Sequence, residues 1–344
     1  MNVLIDTGHP VHIHFFNPIA KQLEKNGHVV FFAIREKDCS LQIAQSYSLN
    51  FISKGTGSYS LLLKPFYLIR SVYQLYAAAK RAKTDLFLSF ASPYAGIVSR
   101  ILNKPHIVFD DTEPDPIVQW IYRKLSDTII TPSCFQKEFG KKHKKINGYK
   151  ELAYLNPGFF STEPQIKSKL GFEKDQDYIL IRLVNHGAMH DKFSPHWNIE
   201  EKIRFIQKLA EKYAVVISSE TDLPEALEKY TFRLSETLFH QAIANAKLVV
   251  GESATVAAES AVLGVPAVFI DFNTRGYIDE IESNYHLIRH YKPTSDGLKL
   301  AEDFIQVVMQ NKSPENYRTQ GQVLISEKTN IVDSFVEIIE KGLR

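Results

Sequence analysis

The stretch Gly251-Glu-Ser-Ala-Thr-Val-Ala-Ala-Glu-Ser-Ala-Val-Leu-Gly-Val-Pro266 sets small and polar residues between an apolar run at 248–250 and a helical pattern. A helix that starts there leaves its first N–H groups without partners and turns the positive end of its dipole outward. Small side chains let an anion come close. Ser253 and Thr255 supply hydroxyls that can cap the helix or donate to oxygen. With Gly251 and Ala254 they make a seat for phosphate. Glu259 follows Thr255 by four residues and so shares its face. A carboxylate there can accept from both hydroxyls of a ribose. On spacing alone, plain capping by Ser253 and Thr255 and a solvated Glu259 account for the pattern equally well.

Three further groups have the residue types for chemistry. His9, His12 and His14 surround the turn after the first apolar run, and a neutral imidazole suits proton abstraction near pH 7. His14 reads best as a packing residue. Asp110 and Asp111 follow an apolar run at 107–109, where a carboxylate can orient a catalytic His or bind sugar hydroxyls. The plainer reading makes one of them a helix cap before Pro114 or Pro116. Arg182, His186, Gly187 and His190 follow the run at 178–184. There the basic groups can meet diphosphate oxygens and Gly187 permits a tight loop. Asp111, Glu113 and Asp115, or His186, His190 and Asp191, also have passable metal-ligand spacing. No further ligand cluster accompanies the second set, where phosphate contact is the better reading, and no metal is expected at either.

These residues need elements to hold them. Short apolar runs alternate with helical periodicity along the whole chain. Strands are predicted at 3–5, 28–33, 85–89, 107–109 and 128–130, with helices between, including a long one over 60–83 broken or re-entered at Pro65. The breaker cluster Asn156-Pro-Gly158 interrupts the series. It restarts with strands at 178–184, 215–218, 248–250 and 267–270 and helices at 199–212, 235–246 and 255–263. Repeated β-α-β units imply parallel sheets covered on both faces. The fold class is therefore α/β, with two Rossmann-like doubly wound domains facing a cleft. The expected domains are 1–158, 159–325 and a C-terminal helix at 326–344 that crosses back to the first. Ligands in such sheets sit beyond the C-terminal ends of the strands.

Composition narrows the function classes. With 344 residues the chain is long enough for two domains, and its 41 basic and 39 acidic side chains rule out a generally basic nucleic-acid binder. Cys39 and Cys134 give neither a disulfide framework nor zinc spacing, and a reducing compartment is expected. The start, Met1-Asn-Val-Leu-Ile-Asp6, reads as a strand and not as a signal peptide. No run of apolar residues is long enough for a membrane span. The segment 60–83 and the basic run Lys137-Glu-Phe-Gly-Lys-Lys-His-Lys-Lys145 could lean on an anionic membrane, although a core helix and a solvated face explain them as readily.

The stretch 251–269 resembles the C-terminal signature of GT-B glycosyltransferases of the MurG type and of the related UDP-N-acetylglucosamine 2-epimerases. Asp6-Thr-Gly-His-Pro-Val-His-Ile-His14, with Gly27-His28 after the next helix, is similar to the opening of MurG-like chains, with Pro10-Val11 where those chains have a Gly pair. Together with Phe109-Asp-Asp-Thr-Glu113 and the segment 182–191, the chain resembles most closely the family called domain of unknown function 354. The resemblance implies that Gly251, Ser253, Ala254 and Thr255 bind a nucleotide diphosphate and Glu259 the ribose. It places the family's turn His on His12, with His9 as second choice and Asp110 or Asp111 as the partner of the base. The implied activity is a glycosyltransferase that uses a nucleotide sugar, UDP-linked, as substrate and needs no cofactor. Its acceptor would be a glycan or a lipid-linked molecule in surface-polysaccharide or glycolipid synthesis, in the cytoplasm, with peripheral contact to the membrane. The alternatives are a UDP-N-acetylhexosamine 2-epimerase and a non-catalytic nucleotide-sugar-binding subunit. The epimerases carry an Asp after the fourth strand where this chain has Leu88-Ser-Phe-Ala-Ser-Pro93, and this favours transfer.

Overall fold

A computed structural model describes residues 1–56, 64–113, 115–185, 197–311 and 315–341. The chain divides into two compact units, Met1–Tyr154 with Thr329–Arg344, and Leu155–Lys328.

In the first unit the elements run β1 (Asn2–Thr7), α1 (Pro10–Lys25), β2 (Val29–Glu36), α2 (Ser40–Ser46), β3 (Phe51–Thr56), α3 (Lys64–Arg81), β4 (Leu86–Phe90), α4 (Pro93–Leu102), β5 (His106–Phe109), α5 (Pro116–Leu125), β6 (Thr128–Pro132) and β7 (His143–Ile146). The seven strands form one parallel sheet in the order β3-β2-β1-β4-β5-β6-β7. The inner strands β1, β4 and β5 are nearly continuous buried runs because both faces are covered. On one face Leu4, Ala33 and Phe87 pack against Leu75 and Ala79 of α3 and Ala95 and Val98 of α4. On the other, Phe15 and Phe16 of α1 meet Phe109 and Phe335. Part of the expected helix over 60–83 lies outside the described residues; the described helix is Lys64–Arg81.

After the short helices α6 (Leu152–Leu155) and α7 (Ile166–Lys169), the second unit continues with β8 (Tyr178–Leu183), α8 (Ile199–Ala210), β9 (Ala214–Ser219), α9 (Phe239–Asn245), β10 (Leu248–Gly251), α10 (Ala254–Val262), β11 (Ala267–Ile270), α11 (Gly276–Tyr285), β12 (Ile288–Tyr291), α12 (Ser295–Gln310) and α13 (Glu315–Glu327). Its five strands are parallel in the order β12-β11-β10-β8-β9. Ile179, Ile181, Leu248, Val250 and Val268 face Phe205 and Ile206 of α8 and Ile305 of α12. The last helix, α14 (Ile331–Lys341), belongs to the first unit and packs on α1.

Chain direction across each sheet reverses once. In the first the switch lies between β1 and β4, in the second between β8 and β10. Loops at such a point diverge and leave a crevice at the strands' C-terminal ends.

Candidate functional site

In the first unit the switch point is a buried polar cluster. Asp6 is the penultimate residue of β1 and is 1 % exposed. One of its oxygens pairs with Lys54 Nζ, which reaches over β2 from β3, and the other accepts from Ser92 Oγ. Ser92 is also the N-cap of α4, accepting from the Ala95 N–H at 3.2 Å. An ion pair this deep is costly to break from one side only, so Asp6 is held firmly in place.

The histidines surround the adjacent turn. His9 is the N-cap of α1, its Nδ1 accepting from Val11 N–H at 3.3 Å. His14 meets the Tyr47 hydroxyl at 2.6 Å and stacks near Tyr154, in the packing role expected of it. His12 lies flat on Phe90, ring centroids 4.0 Å apart, and its Nδ1 accepts from Gly8 N–H at 3.3 Å. Burial, and then the charges of Lys150, Lys37 and Lys54, hold its pKa well below the usual histidine value. The ring is therefore neutral at pH 7. With Nδ1 accepting, the proton sits on Nε2, and His12 offers a donor there.

The expected pairing of His12 with Asp110 or Asp111 does not form. Asp110 accepts from the Tyr122 hydroxyl at 2.7 Å and from Thr112 N–H at 3.0 Å. Asp111 takes Lys150 Nζ at 2.6 Å, and Lys150 also lies 2.6 Å from Glu151. The reason is local. A buried carboxylate takes the nearest strong donor, and α5 and Lys150 bring Tyr122 and an ammonium closer than α1 brings the imidazole. Burial nevertheless dominates at two of these acids. The Asp110 carboxyl is pushed up to about 7, although Tyr122 and Thr112 pull it down. Glu151 is pushed up to about 7 for the same reason, against the pull of Lys150. The residue that caps α5 is neither Asp110 nor Asp111 but Asp115, which accepts from Val118 N–H at 3.2 Å. Capping by Asp115 and the Asp111–Lys150 pair leave the Asp111, Glu113, Asp115 spacing with structural work other than metal binding.

In the second unit the switch point joins Gly251 of β10 to Arg182 of β8. A Cβ on Gly251 would lie 2.1 Å from the Arg182 carbonyl oxygen, so only glycine lets the strands meet here. The turn is then fixed from three sides. Glu252 N–H donates to the Arg182 carbonyl at 3.1 Å, the buried Glu252 side chain takes Lys202 Nζ at 2.9 Å, and Ser253 Oγ caps α10 by accepting from Val256 N–H at 3.3 Å. The cap is Ser253; Ala254 and Thr255 form the first turn of α10, Thr255 partly exposed. Glu259, one turn further on, is buried and meets His240 Nε2 of α9 at 3.0 Å.

Arg182 does not reach out as expected. Its guanidinium donates to Ser218 Oγ at 2.6 Å and Glu220 Oε1 at 2.9 Å, both reached from β9, and lies over Phe239. A carboxylate partner neutralises the charge that was to meet diphosphate. His186, Gly187 and His190 lie outside the described residues.

Lys54, Ser92, Tyr122, Lys150, Glu151, Lys202, Ser218, Glu220 and His240 are absent from the sequence-based set. Lys54 and Lys150 look like surface lysines in the sequence. Only the fold shows that they are buried against Asp6 and Asp111.

Two doubly wound parallel α/β units, each with polar side chains gathered at its switch point, define the class. The solved structures that this chain resembles have the GT-B fold and are glycosyltransferases and UDP-GlcNAc 2-epimerases. MnaA of S. aureus, in a co-structure with UDP, superposes with a TM-score of 0.72 at 12 % identity over 99 % of this chain and 96 % of that one. UDP-GlcNAc 2-epimerase from Neisseria meningitidis, bound to UDP-GlcNAc, gives 0.71 at 14 % over 100 % and 99 %. The spinosyn rhamnosyltransferase SpnG, complexed with spinosyn aglycone, gives 0.60 at 12 % over 100 % of both chains. Identities this low show the fold alone.

The chain belongs to the family described as protein of unknown function DUF354, whose model matches residues 1–291. It is also 26 % identical, over 78 % of its length and 81 % of the relative's, to the uncharacterised protein MJ0665 of Methanocaldococcus jannaschii.

Proposed function

We propose that this protein transfers a sugar from a UDP-linked donor to a hydroxyl of a glycan or lipid-linked acceptor. The observation that carries the reading is the β10–α10 turn at the second switch point, where Gly251 ends the strand, Ser253 caps the helix, Thr255 lies in its first turn and the Glu259–His240 pair follows one turn later. Backbone N–H groups there match a diphosphate, which is also where negative charge develops as the sugar departs. Glu259, steadied by His240, accepts from the ribose hydroxyls. In the first unit, Asp110 takes the acceptor's proton, since a carboxyl near 7 is matched to that task at neutral pH. His12, with its proton on Nε2, holds an acceptor or sugar oxygen as a donor.

Titration calorimetry with UDP, GDP, ADP and CMP tests the donor half. UDP should bind selectively, and Glu259→Ala should weaken it about tenfold or more, the loss expected for a charge-assisted hydrogen-bonded contact. Equal affinity in the variant would remove Glu259 from the site. Absence of any nucleotide binding would sink the reading.

A second reading, epimerisation at C2 of a UDP-N-acetylhexosamine, is favoured by one observation: Asp110 and Glu151 are both buried carboxyls raised to about 7. Such a pair suits proton removal at carbon. Incubation with UDP-GlcNAc in D2O without acceptor separates the two, because epimerisation puts deuterium at C2 and transfer does not. UDP binding with neither exchange nor transfer to any acceptor would leave a binding subunit.

A further inference from the structure

The outer layer of the first unit on one side of its sheet is made by α3, α4 and α5, with α4 packed between the other two. Their sequences, KPFYLIRSVYQLYAAAKR, PYAGIVSRIL and PIVQWIYRKL, contain seven Lys or Arg and no Asp or Glu. The chain as a whole is nearly balanced, with 41 basic and 39 acidic residues, so this layer is a local exception.

The same layer turns large apolar side chains outward. Ile69 and Tyr73 of α3, Ile101 of α4, and Ile117 and Trp120 of α5 are between 59 % and 70 % exposed. With Leu68 they account for six of the twelve exposed large hydrophobics among the described residues. Helix α5 is inverted relative to an ordinary surface helix. Its buried positions are Gln119 and Tyr122, with the Gln119 amide donating to Thr112 and Glu113 carbonyls, while Ile117 and Trp120 face away. Lys124 Nζ lies 4.0 Å over the Trp120 ring, and Arg123 is exposed beside it. Among the described residues the ion pairs of this layer stand at its foot, where Asp127 pairs with Arg100 and, just past α4, Asp85 pairs with Lys104. The other basic stretch, 137–145, is largely occupied internally: Lys137 donates to Glu113 O and Gln119, Lys142 to Ser126 O, and Lys145 to Phe135 O.

We infer that the α3–α4–α5 layer is a docking surface for an anionic lipid bilayer. Trp and Tyr have an apolar body and a polar tip and settle at the headgroup level. Exposed Ile and Leu side chains enter the acyl boundary, and Lys and Arg reach back to the headgroups. Basic residues in excess over acidic ones select an anionic leaflet. A polyanion such as nucleic acid would use the positive charge and leave the outward Ile, Leu and Trp uncovered. Among the described residues no helix is long and apolar enough to cross a membrane, so the contact made by this layer is peripheral. The inference goes beyond the catalytic reading and does not depend on it, because docking is measured without nucleotide.

The test is sedimentation of the full chain with vesicles of phosphatidylcholine alone or mixed with phosphatidylglycerol, together with tryptophan emission. The chain has two tryptophans, and Trp197 is buried, so Trp120 is the reporter. The protein should pellet with the phosphatidylglycerol vesicles, less so at high salt, and its emission should shift to the blue. Trp120→Phe should still pellet but lose the shift. Arg123→Gln with Lys124→Gln should weaken binding roughly 25-fold, about fivefold for each charge. Ile117→Ser with Trp120→Ser should weaken it further, at unchanged circular dichroism. Protein that stays in the supernatant with phosphatidylglycerol vesicles overturns the inference. So does pelleting without a blue shift, matched by capture on heparin, which would mark a polyanion surface.

Discussion

At the scale of single residues, the molecule stores unusual chemistry in buried carboxyls. Asp110 is the clearest case, 1 % exposed with its carboxyl raised from 3.8 to about 7. Its folded pKa lies above its unfolded one, so as pH rises the unfolded chain gives up this proton first. The contribution of Asp110 to stability therefore falls between about pH 4 and about pH 7 and stays low above that. Asp110→Asn keeps the shape and the contact to Tyr122 while removing the charge. We predict that the variant gains stability at pH 8, on the order of 2–4 kcal/mol, gains little at pH 4, and loses turnover. Denaturant melts of both proteins at the two pH values would show it. An equal change at both would mean that Asp110 is already neutral or not truly buried. His12 illustrates the complementary case. The sequence offered it as the candidate base beside the first strand-to-helix turn, while its contacts to Gly8 N–H and Phe90 are ones that spacing does not encode.

At the scale of elements, the diphosphate seat proposed at β10–α10 depends on how closely two strands approach. The Cβ that alanine would add at position 251 lies 2.1 Å from the Arg182 carbonyl oxygen, which is backbone and cannot swing aside. Gly251→Ala should therefore push β10 away from β8, lower stability by about 1–3 kcal/mol or more, and abolish UDP binding. Thermal melts and calorimetry would check both, and a variant of unaltered stability would contradict the packing described. The sequence showed this element well. The strand expected at 248–250 runs over Leu248–Gly251, the helix expected at 255–263 runs over Ala254–Val262, and of the two candidate caps Ser253 takes the role. It showed β3 poorly, because Phe51-Ile-Ser-Lys-Gly-Thr56 carries a lysine where a buried strand should be apolar, and that lysine is buried against Asp6. Strand β7, HKKI, looked like a charged face, and Lys144 and Lys145 are indeed exposed; Lys145 pairs with Glu138 and donates to the Phe135 carbonyl. Periodicity records which face is apolar, and it is silent on charges paired across loops. Lys150, Tyr122 and His240 were invisible on that account, and so was the use of Arg182 by Ser218 and Glu220.

At the scale of the whole molecule, the chain builds its first unit from both of its ends. Helix α14 buries Ile331, Val332, Phe335, Val336 and Ile339, and Phe335 meets Phe15, Phe16 and Phe109 in an aromatic cluster beneath the first sheet. Its Glu340 also takes the Asn26 amide, where α1 ends, at 2.7 Å. The second unit is a single uninterrupted segment with its own core around Ile181, Val250, Phe205 and Ile305. Stability and nucleotide binding should therefore separate. Phe335→Ala removes a side chain with no exposed surface and should cost the first unit about 3–5 kcal/mol, a large part of what a domain of this size has to lose. In scanning calorimetry one transition should move to lower temperature while the other holds. UDP affinity, measured below the lower transition, should be unchanged, because the β10–α10 seat and the Glu259–His240 pair lie wholly in the second unit. Loss of UDP affinity in this variant would mean that the donor site draws on both units, and the division of labour proposed for them would have to be redrawn.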